Sequence, residues 1–362
     1  MVGQSCTKLG QILGEYWRFA QSAKSPTGVF LLNLGTPRQP TPGDVRAYLK
    51  EFLMDPYVID IPGPLRWLLV HGIILPKRPA SSARAYQKIW TERGSPLLFH
   101  LEDLVCGVQK VLGESFHVIG GMRYGNPSIR DGLEKFKKLK LDKVILFPLY
   151  PQYSLAATES SIREFKKVAA DVGFEGQIKE VPAFFDDPGF IRSFAEVAKE
   201  SLRDFPFDHL LMSFHGLPER QVKKTDPTGE LCLATQDCCS RLNPKNPDCY
   251  RAQCFQTARK IAEKMGLEPS RYSVCFQSRL GRTPWIKPFT DELYLSLPSQ
   301  GVKKLAVLCP SFVADCLETL EEVAIRGRAD FLKAGGTDFK LISSLNSSPV
   351  WVETVANRLA EM

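Results

Sequence analysis

Histidine is scarce in this chain, with five in 362 residues, and long apolar runs are missing. The longest apolar stretch, Leu65 to Pro76, is broken by Arg66, His71 and Gly72. It falls short of the roughly 20 apolar residues that a membrane-spanning helix needs. Met1 to Lys24 has neither an apolar core nor a small-residue cleavage site, so no secretory leader is expected. No arginine-rich tract with interleaved aromatics suggests a nucleic-acid surface. The turn Gly35-Thr36-Pro37 is not a G-x-G-x-x-G phosphate loop, which argues against a nucleotide-dependent oxidoreductase. The charge of +7 suits an anionic substrate or an anionic membrane surface equally and decides little.

What is present reads as a soluble α/β protein. Hydrophobic residues make up 44% and charged residues 24%, and the length suggests two domains. Short buried strands are expected at 28–35, 115–122, 143–150, 209–214, 272–277 and 304–309. Helices are expected at 44–54, 129–139, 158–170, 250–265, 316–334 and 350–360. This alternation gives parallel sheets flanked by helices on both faces.

The chemistry gathers at strand ends. The run Leu210-Leu211-Met212-Ser213-Phe214 stops at His215, and Gly216-Leu217-Pro218 forbids a regular continuation. Imidazole titrates near neutral pH, and open α/β sheets place their chemistry at the carboxyl ends of strands. The bland alternative is a buried structural histidine. Asp315, Glu318 and Glu322 are spaced three and four apart, so on an α-helix they share one face. A capping box accounts for Asp315 and Glu318 but not for Glu322. Other strand ends carry Arg123 and Tyr124, then Tyr150, Tyr153 and Ser154, then Gln277, Ser278, Arg279, Arg282 and Trp285. Aromatic faces and guanidinium groups in one cleft suit a flat, apolar, anionic ligand.

These segments, with Leu32-Asn33-Leu34-Gly35-Thr36-Pro37, Ala314-Asp315-Cys316-Leu317-Glu318-Thr319-Leu320 and Ser344-Leu345-Asn346, resemble ferrochelatase in register from Thr27 to Trp351. The resemblance implies two Rossmann-like domains and insertion of Fe²⁺ into protoporphyrin IX, the last step of haem synthesis. It implies His215 as the base for a pyrrole proton and as an iron contact with Glu318. Glu318, Glu322 and Asp315 would carry protons or deliver iron. Leu34, Arg123, Tyr124, Tyr150, Tyr153, Ser154, Gln277, Ser278, Arg279 and Trp285 would hold the macrocycle. The expected division is an N-terminal extension 1–26, a first domain 27–183 with an apolar lip, a second domain 184–345, and a helix 346–362 that packs back on the first. The lip, with Trp67, Lys77 and Arg78, leads to an expected cytoplasmic location, peripheral on the inner membrane. Cys316 stands where many members of the family, animal enzymes included, have histidine; proteobacterial members commonly have cysteine there.

Five of ten cysteines, Cys232, Cys238, Cys239, Cys249 and Cys254, form C-x5-C-C-x9-C-x4-C in a polar loop. Clustered thiols without a secretion signal suggest a metal site rather than disulfides. Some ferrochelatases carry a [2Fe–2S] cluster. The animal pattern is not expected, because Leu155 replaces its internal cysteine and no cysteine follows to Met362. The expectation is a [2Fe–2S] cluster within the loop, held by Cys249, Cys254, Cys232 and one of Cys238 or Cys239, with zinc as the alternative. Chelation of coproporphyrin or cobalt, and an iron–sulfur redox or sensor protein, remain competing readings.

Overall fold

The computed structural model describes residues 26–362 except positions 236, 280 and 282. The expectations for Met1–Lys24 and Arg282 therefore lie outside the described residues. Two four-stranded sheets, wholly parallel, carry the fold. The first contains β1 (Thr27–Thr36), β2 (Phe116–Gly125), β3 (Lys143–Pro148) and β4 (Gln177–Glu180) in the order β2-β1-β3-β4. The second contains β5 (His209–His215), β6 (Tyr272–Gln277), β7 (Lys304–Leu308) and β8 (Asp338–Leu341) in the order β6-β5-β7-β8. The two orders are the same. Each sheet reverses direction of winding beside its first strand, where open α/β sheets form crevices.

The central strands β1 and β5 are buried along nearly their whole length, as expected of strands covered on both faces. In the first half the helices are α1 (Pro42–Met54), α2 (Gly63–Leu68), α3 (Leu75–Ile89), α4 (Pro96–Leu112), α5 (Ile129–Lys138) and α6 (Ser160–Asp171). α1 starts where Thr41 accepts the Asp44 N–H ahead of a helix-opening proline. α5 opens with a Ser128–Asp131 capping box. The second half adds α7 (Pro188–Leu202), α8 (Glu219–Lys223), α9 (Tyr250–Met265), α10 (Thr290–Ser296), α11 (Arg328–Lys333) and α12 (Pro349–Ala360). α9 ends at Gly266, whose φ of 73° is left-handed and suits a residue without a Cβ.

Three segments wind as π-helix: Leu69–Ile74 between α2 and α3, Leu155–Glu159 before α6, and Glu318–Gly327 before α11. The last replaces most of the α-helix expected at 316–334, so a spacing argument built on 3.6 residues per turn does not hold there.

One core joins the halves. Val29, Leu31 and Phe147 from the first sheet and Met212, Phe214 and Leu308 from the second belong to a single buried cluster with Trp351. α12 packs on α4 and α7, with Trp351 against Phe184 and Phe190. Polar ties cross the cleft as well: Arg220 and Lys224 reach Asp60 at 2.5 Å each, and Lys88 reaches Glu321 at 3.0 Å. In the helical segment 63–74, Leu65, Trp67, Leu68 and Ile73 are each more than half exposed. Among the described residues, no helix is long and apolar enough to cross a membrane.

Candidate functional site

His215 is the last residue of β5, half-buried, with its ring Nδ1 2.6 Å from the Gly216 carbonyl. A carbonyl only accepts, so Nδ1 carries the hydrogen there and Nε2 keeps its lone pair. Gly216 is required by close approach. A Cβ at this position would lie 2.6 Å from the Gln277 carbonyl oxygen, which accepts the Gly216 N–H at 2.8 Å. The Tyr250 hydroxyl, 2.7 Å away, donates to the His215 carbonyl.

The acidic segment differs from its expected form. Asp315 is buried and does not cap a helix: its carboxylate accepts from Thr319 Oγ1, the Ser344 N–H and Asn346 Nδ2 at 3.0, 3.2 and 2.8 Å. It ties the start of the π-helix to the turn after β8. Glu322 is held by the residue that follows β6, accepting the Ser278 N–H at 2.9 Å and the Ser278 hydroxyl at 2.6 Å. Burial pushes the Glu322 carboxyl above the usual range; the Ser278 hydrogen bonds oppose this, and the Glu318 charge adds to it. Glu318 is half-buried, and its main-chain carbonyl accepts from Gln277 Nε2 at 3.0 Å. Glu321, between the two, is tied off by Arg326 and Lys88, which outweigh burial and hold its carboxyl below the usual range. Of these three glutamates, Glu318 and Glu322 are the two without an ion-pair partner among the described residues.

Ser278 itself has φ of 66°, an unusual backbone state for a residue with a Cβ. Such strain persists where surrounding structure fixes it, and functional sites are where it concentrates.

Several of the residues expected to hold the macrocycle are buried or engaged by other side chains. Tyr124 is wholly buried, and its hydroxyl donates to Asp55 at 2.8 Å. Burial is the main cause that raises the Tyr124 phenol above its ordinary value. Arg123 stays partly open, with Nη2 2.5 Å from Asp55, Nε 2.9 Å from Ser160, and its guanidinium over the Tyr124 ring. Ser154 is buried and caps the short π-turn through the Ala157 N–H. Gln277 is buried and accepts from Ser213. Arg279 is engaged by Asp291 and Glu292 and lies over Phe289. Leu34, Tyr150, Tyr153 and Trp285 are half-buried. The Tyr150 hydroxyl is 3.1 Å from Ser161, and that of Tyr153 donates to Glu159 at 3.2 Å. Trp285 bridges the backbone of Pro218 in the His215 loop.

The thiols are brought together in part. Cys238 and Cys239 sulfurs lie 3.4 Å apart, Cys239 and Cys249 3.9 Å, and Cys232 contacts Cys249. A cavity of about 310 Å³ opens onto Cys232, Cys238 and Cys249, beside Asp237 and Arg241. The nine cysteines described are free thiols. Cys254 is wholly buried one turn into α9, where its thiol meets Tyr250 instead of the cavity. Among the described residues, no three histidine, cysteine or carboxylate groups surround one point closely enough to hold a single ion.

Sequence reasoning missed Asp55, Ser160 and Tyr250, and also Tyr48 and Tyr86. Both of these phenols are wholly buried within reach of the Glu318 charge, and burial is the main reason that each resists ionisation. Asp55 gave no signal beyond being one acid among forty.

The family model described as Ferrochelatase matches residues 26–362. A ferrochelatase of Coxiella burnetii is 46% identical over 329 residues, covering 91% of this chain and 92% of its own length. That of Ectopseudomonas mendocina is 47% identical, covering 90% and 94%, and that of Legionella pneumophila 44%, covering 92% and 98%. Among solved structures, SirB from Bacillus subtilis with Fe³⁺ superposes with a TM-score of 0.52 at 13% identity, over 93% of this chain and 95% of SirB. At that identity the likeness concerns the fold.

Proposed function

The chain belongs to the ferrochelatase family, and from that premise we propose the residue roles and substrate by which it works. It is a porphyrin metal-chelatase of the lyase class that inserts Fe²⁺ in haem synthesis. The porphyrin we assign is protoporphyrin IX. Insertion exchanges two pyrrole N–H protons for one Fe²⁺, so the site must take up two protons while admitting a cation. His215 Nε2 accepts the first. The observation that carries this role is the contact between Nδ1 and the Gly216 carbonyl, which leaves Nε2 as the basic atom. Glu318 and Glu322 pass protons onward, and burial raises the proton affinity of Glu322 above that of an ordinary carboxylate. Iron meets His215 and Glu318. Leu34, Tyr150, Tyr153 and Trp285 face the macrocycle, and Arg123 offers its remaining N–H groups to a propionate. Asp315, Tyr124, Ser154, Gln277, Ser278 and Arg279 support these groups.

The division at residues 183 and 184 is supported by β4 ending at Glu180 and α7 beginning at Pro188. The exposed Leu65, Trp67, Leu68 and Ile73 beside Lys77 and Arg78 support peripheral attachment to the cytoplasmic face of the inner membrane. Free thiols throughout the described cysteines fit a reducing compartment.

The loop thiols fit a [2Fe–2S] cluster. Sulfurs bound to one tetrahedral metal sit about 3.8 Å apart, given metal–sulfur bonds of about 2.3 Å. Cys239 lies near that spacing from both Cys238 and Cys249, at 3.4 and 3.9 Å, and would share an iron with one of them. Cys232, Cys238, Cys239 and Cys249 would hold it; when bound, such a cluster supplies one-electron chemistry.

Purified protein incubated with Fe²⁺ or Zn²⁺ and protoporphyrin should shift the Soret band, and His215→Ala should abolish the shift. Faster turnover of coproporphyrin in parallel would overturn the substrate assignment. Absence of iron and sulfide would overturn the cluster, and stoichiometric zinc would replace it.

A further inference from the structure

Tyr250 opens α9 and directly follows Cys249. Its ring is buried, and its one hydroxyl proton goes to the His215 main-chain oxygen. The same hydroxyl oxygen lies 3.2 Å from Ser311 Oγ and contacts the Cys254 thiol, both able to donate to it. A buried phenol needs some partner, but this choice is informative. Pairing of β5 with β7 ends at Met212, so on that side the sheet leaves the His215 carbonyl to be met from elsewhere. The ring of His215 is oriented by Gly216, and its peptide by Tyr250.

We propose that Tyr250 is a positioning residue that couples the cysteine segment to His215. Cys249 sits at the N-cap of α9, so whatever holds Cys249 sets the place of the first helical turn. Tyr250 carries that placement 2.7 Å further, to the peptide that bears the proton acceptor. The proposal rests on the proton-accepting role of His215 and on the grouping of Cys232, Cys238, Cys239 and Cys249. It assigns the thiol site an effect on the cleft without any electron transfer.

The test uses the full-length enzyme as purified and the variants Tyr250→Phe, Cys249→Ser and their combination. Tyr250→Phe should keep the iron, sulfide and visible spectrum of the parent. Its kcat should fall roughly five- to tenfold, the worth of one hydrogen bond, with KM for protoporphyrin within about twofold. The His215 imidazole NMR resonance, identified by its loss in His215→Ala, should move in Tyr250→Phe. Cys249→Ser should move the same resonance in the parent but not in the Tyr250→Phe background. Unchanged kcat and resonance in Tyr250→Phe, or equal shifts from Cys249→Ser in both backgrounds, would overturn the coupling. Should Cys249→Ser fail to fold, Cys232→Ser provides the same arm. Lack of iron and sulfide in the parent would refute the cluster alone, because the resonance still reads the coupling. An active His215→Ala would refute the proton acceptor instead.

Discussion

Ser278 gives both its backbone N–H and its hydroxyl to the two carboxylate oxygens of Glu322, at 2.9 and 2.6 Å. The pair ties the end of β6 to the π-helix that follows β7. Removing the hydroxyl in Ser278→Ala takes away a contact that lowers the Glu322 proton affinity. The acid limb of the kcat–pH profile should therefore move to higher pH. A limb that stays or moves to lower pH would contradict the role of Glu322.

The same carboxyl has a consequence for stability. Its folded-state proton affinity is raised, so its contribution is fully present below the unfolded value and is lost as pH rises through the folded one. Glu322→Gln should accordingly gain resistance to urea over the parent as pH rises, and should lose most activity. A gap between the two midpoints that widens with rising pH is the expected pattern.

Asp55 accepts from Arg123, Tyr124 and Ser160 on one oxygen while its side chain is only 2% exposed. Arg123→Leu leaves that charge buried without its cation and should destabilise the fold by about 3–5 kcal/mol. Tyr124→Phe, which removes only one neutral donor, should cost about 1 kcal/mol. Chemical denaturation of both variants checks the ranking.

Gly216→Ala places a methyl group against the Gln277 carbonyl, where backbone cannot yield cheaply. The end of β5 must shift, carrying His215 with it. Turnover should drop by about 100-fold or more, since displacements near 1 Å are that costly to catalysis. Porphyrin binding, read by fluorescence quenching, should change far less.

Trp67 and Leu68 are more than half exposed, so replacing both with serine should leave thermal stability unchanged. Each buries about 1.5–3 kcal/mol of apolar surface if it enters a lipid interface. Sedimentation with phosphatidylglycerol vesicles should weaken at least about tenfold. Undiminished binding would place the membrane contact elsewhere.

The central strands were legible because a continuous apolar run such as Val29 to Leu32 has little choice but a two-sided burial. The edge strands Gln177–Glu180 and Asp338–Leu341 were not, being short and half-exposed. His215 at the end of β5 could be read from where the apolar pattern stops, and Glu322 from its spacing to Glu318. The unread contacts share a cause. Tyr124 owes its burial to Asp55, 69 residues earlier, and Asp315 its partners to Ser344 and Asn346, 29 and 31 residues later. No local pattern encodes such meetings. The π-helix at Glu318–Gly327 escaped for another reason: spacing rules presuppose the α-helical turn.

α12 lies against α4 and α7, with Val352 filling the space that a missing Cβ at Gly107 leaves open. Yet residues 349–360 are made by the ribosome after both sheets. While the chain is still growing, the α4 surface stays uncovered and the first half lacks Trp351 from its core. Nascent chains arrested near residue 200 should therefore expose apolar surface and recruit chaperones, and only completion of synthesis closes the molecule.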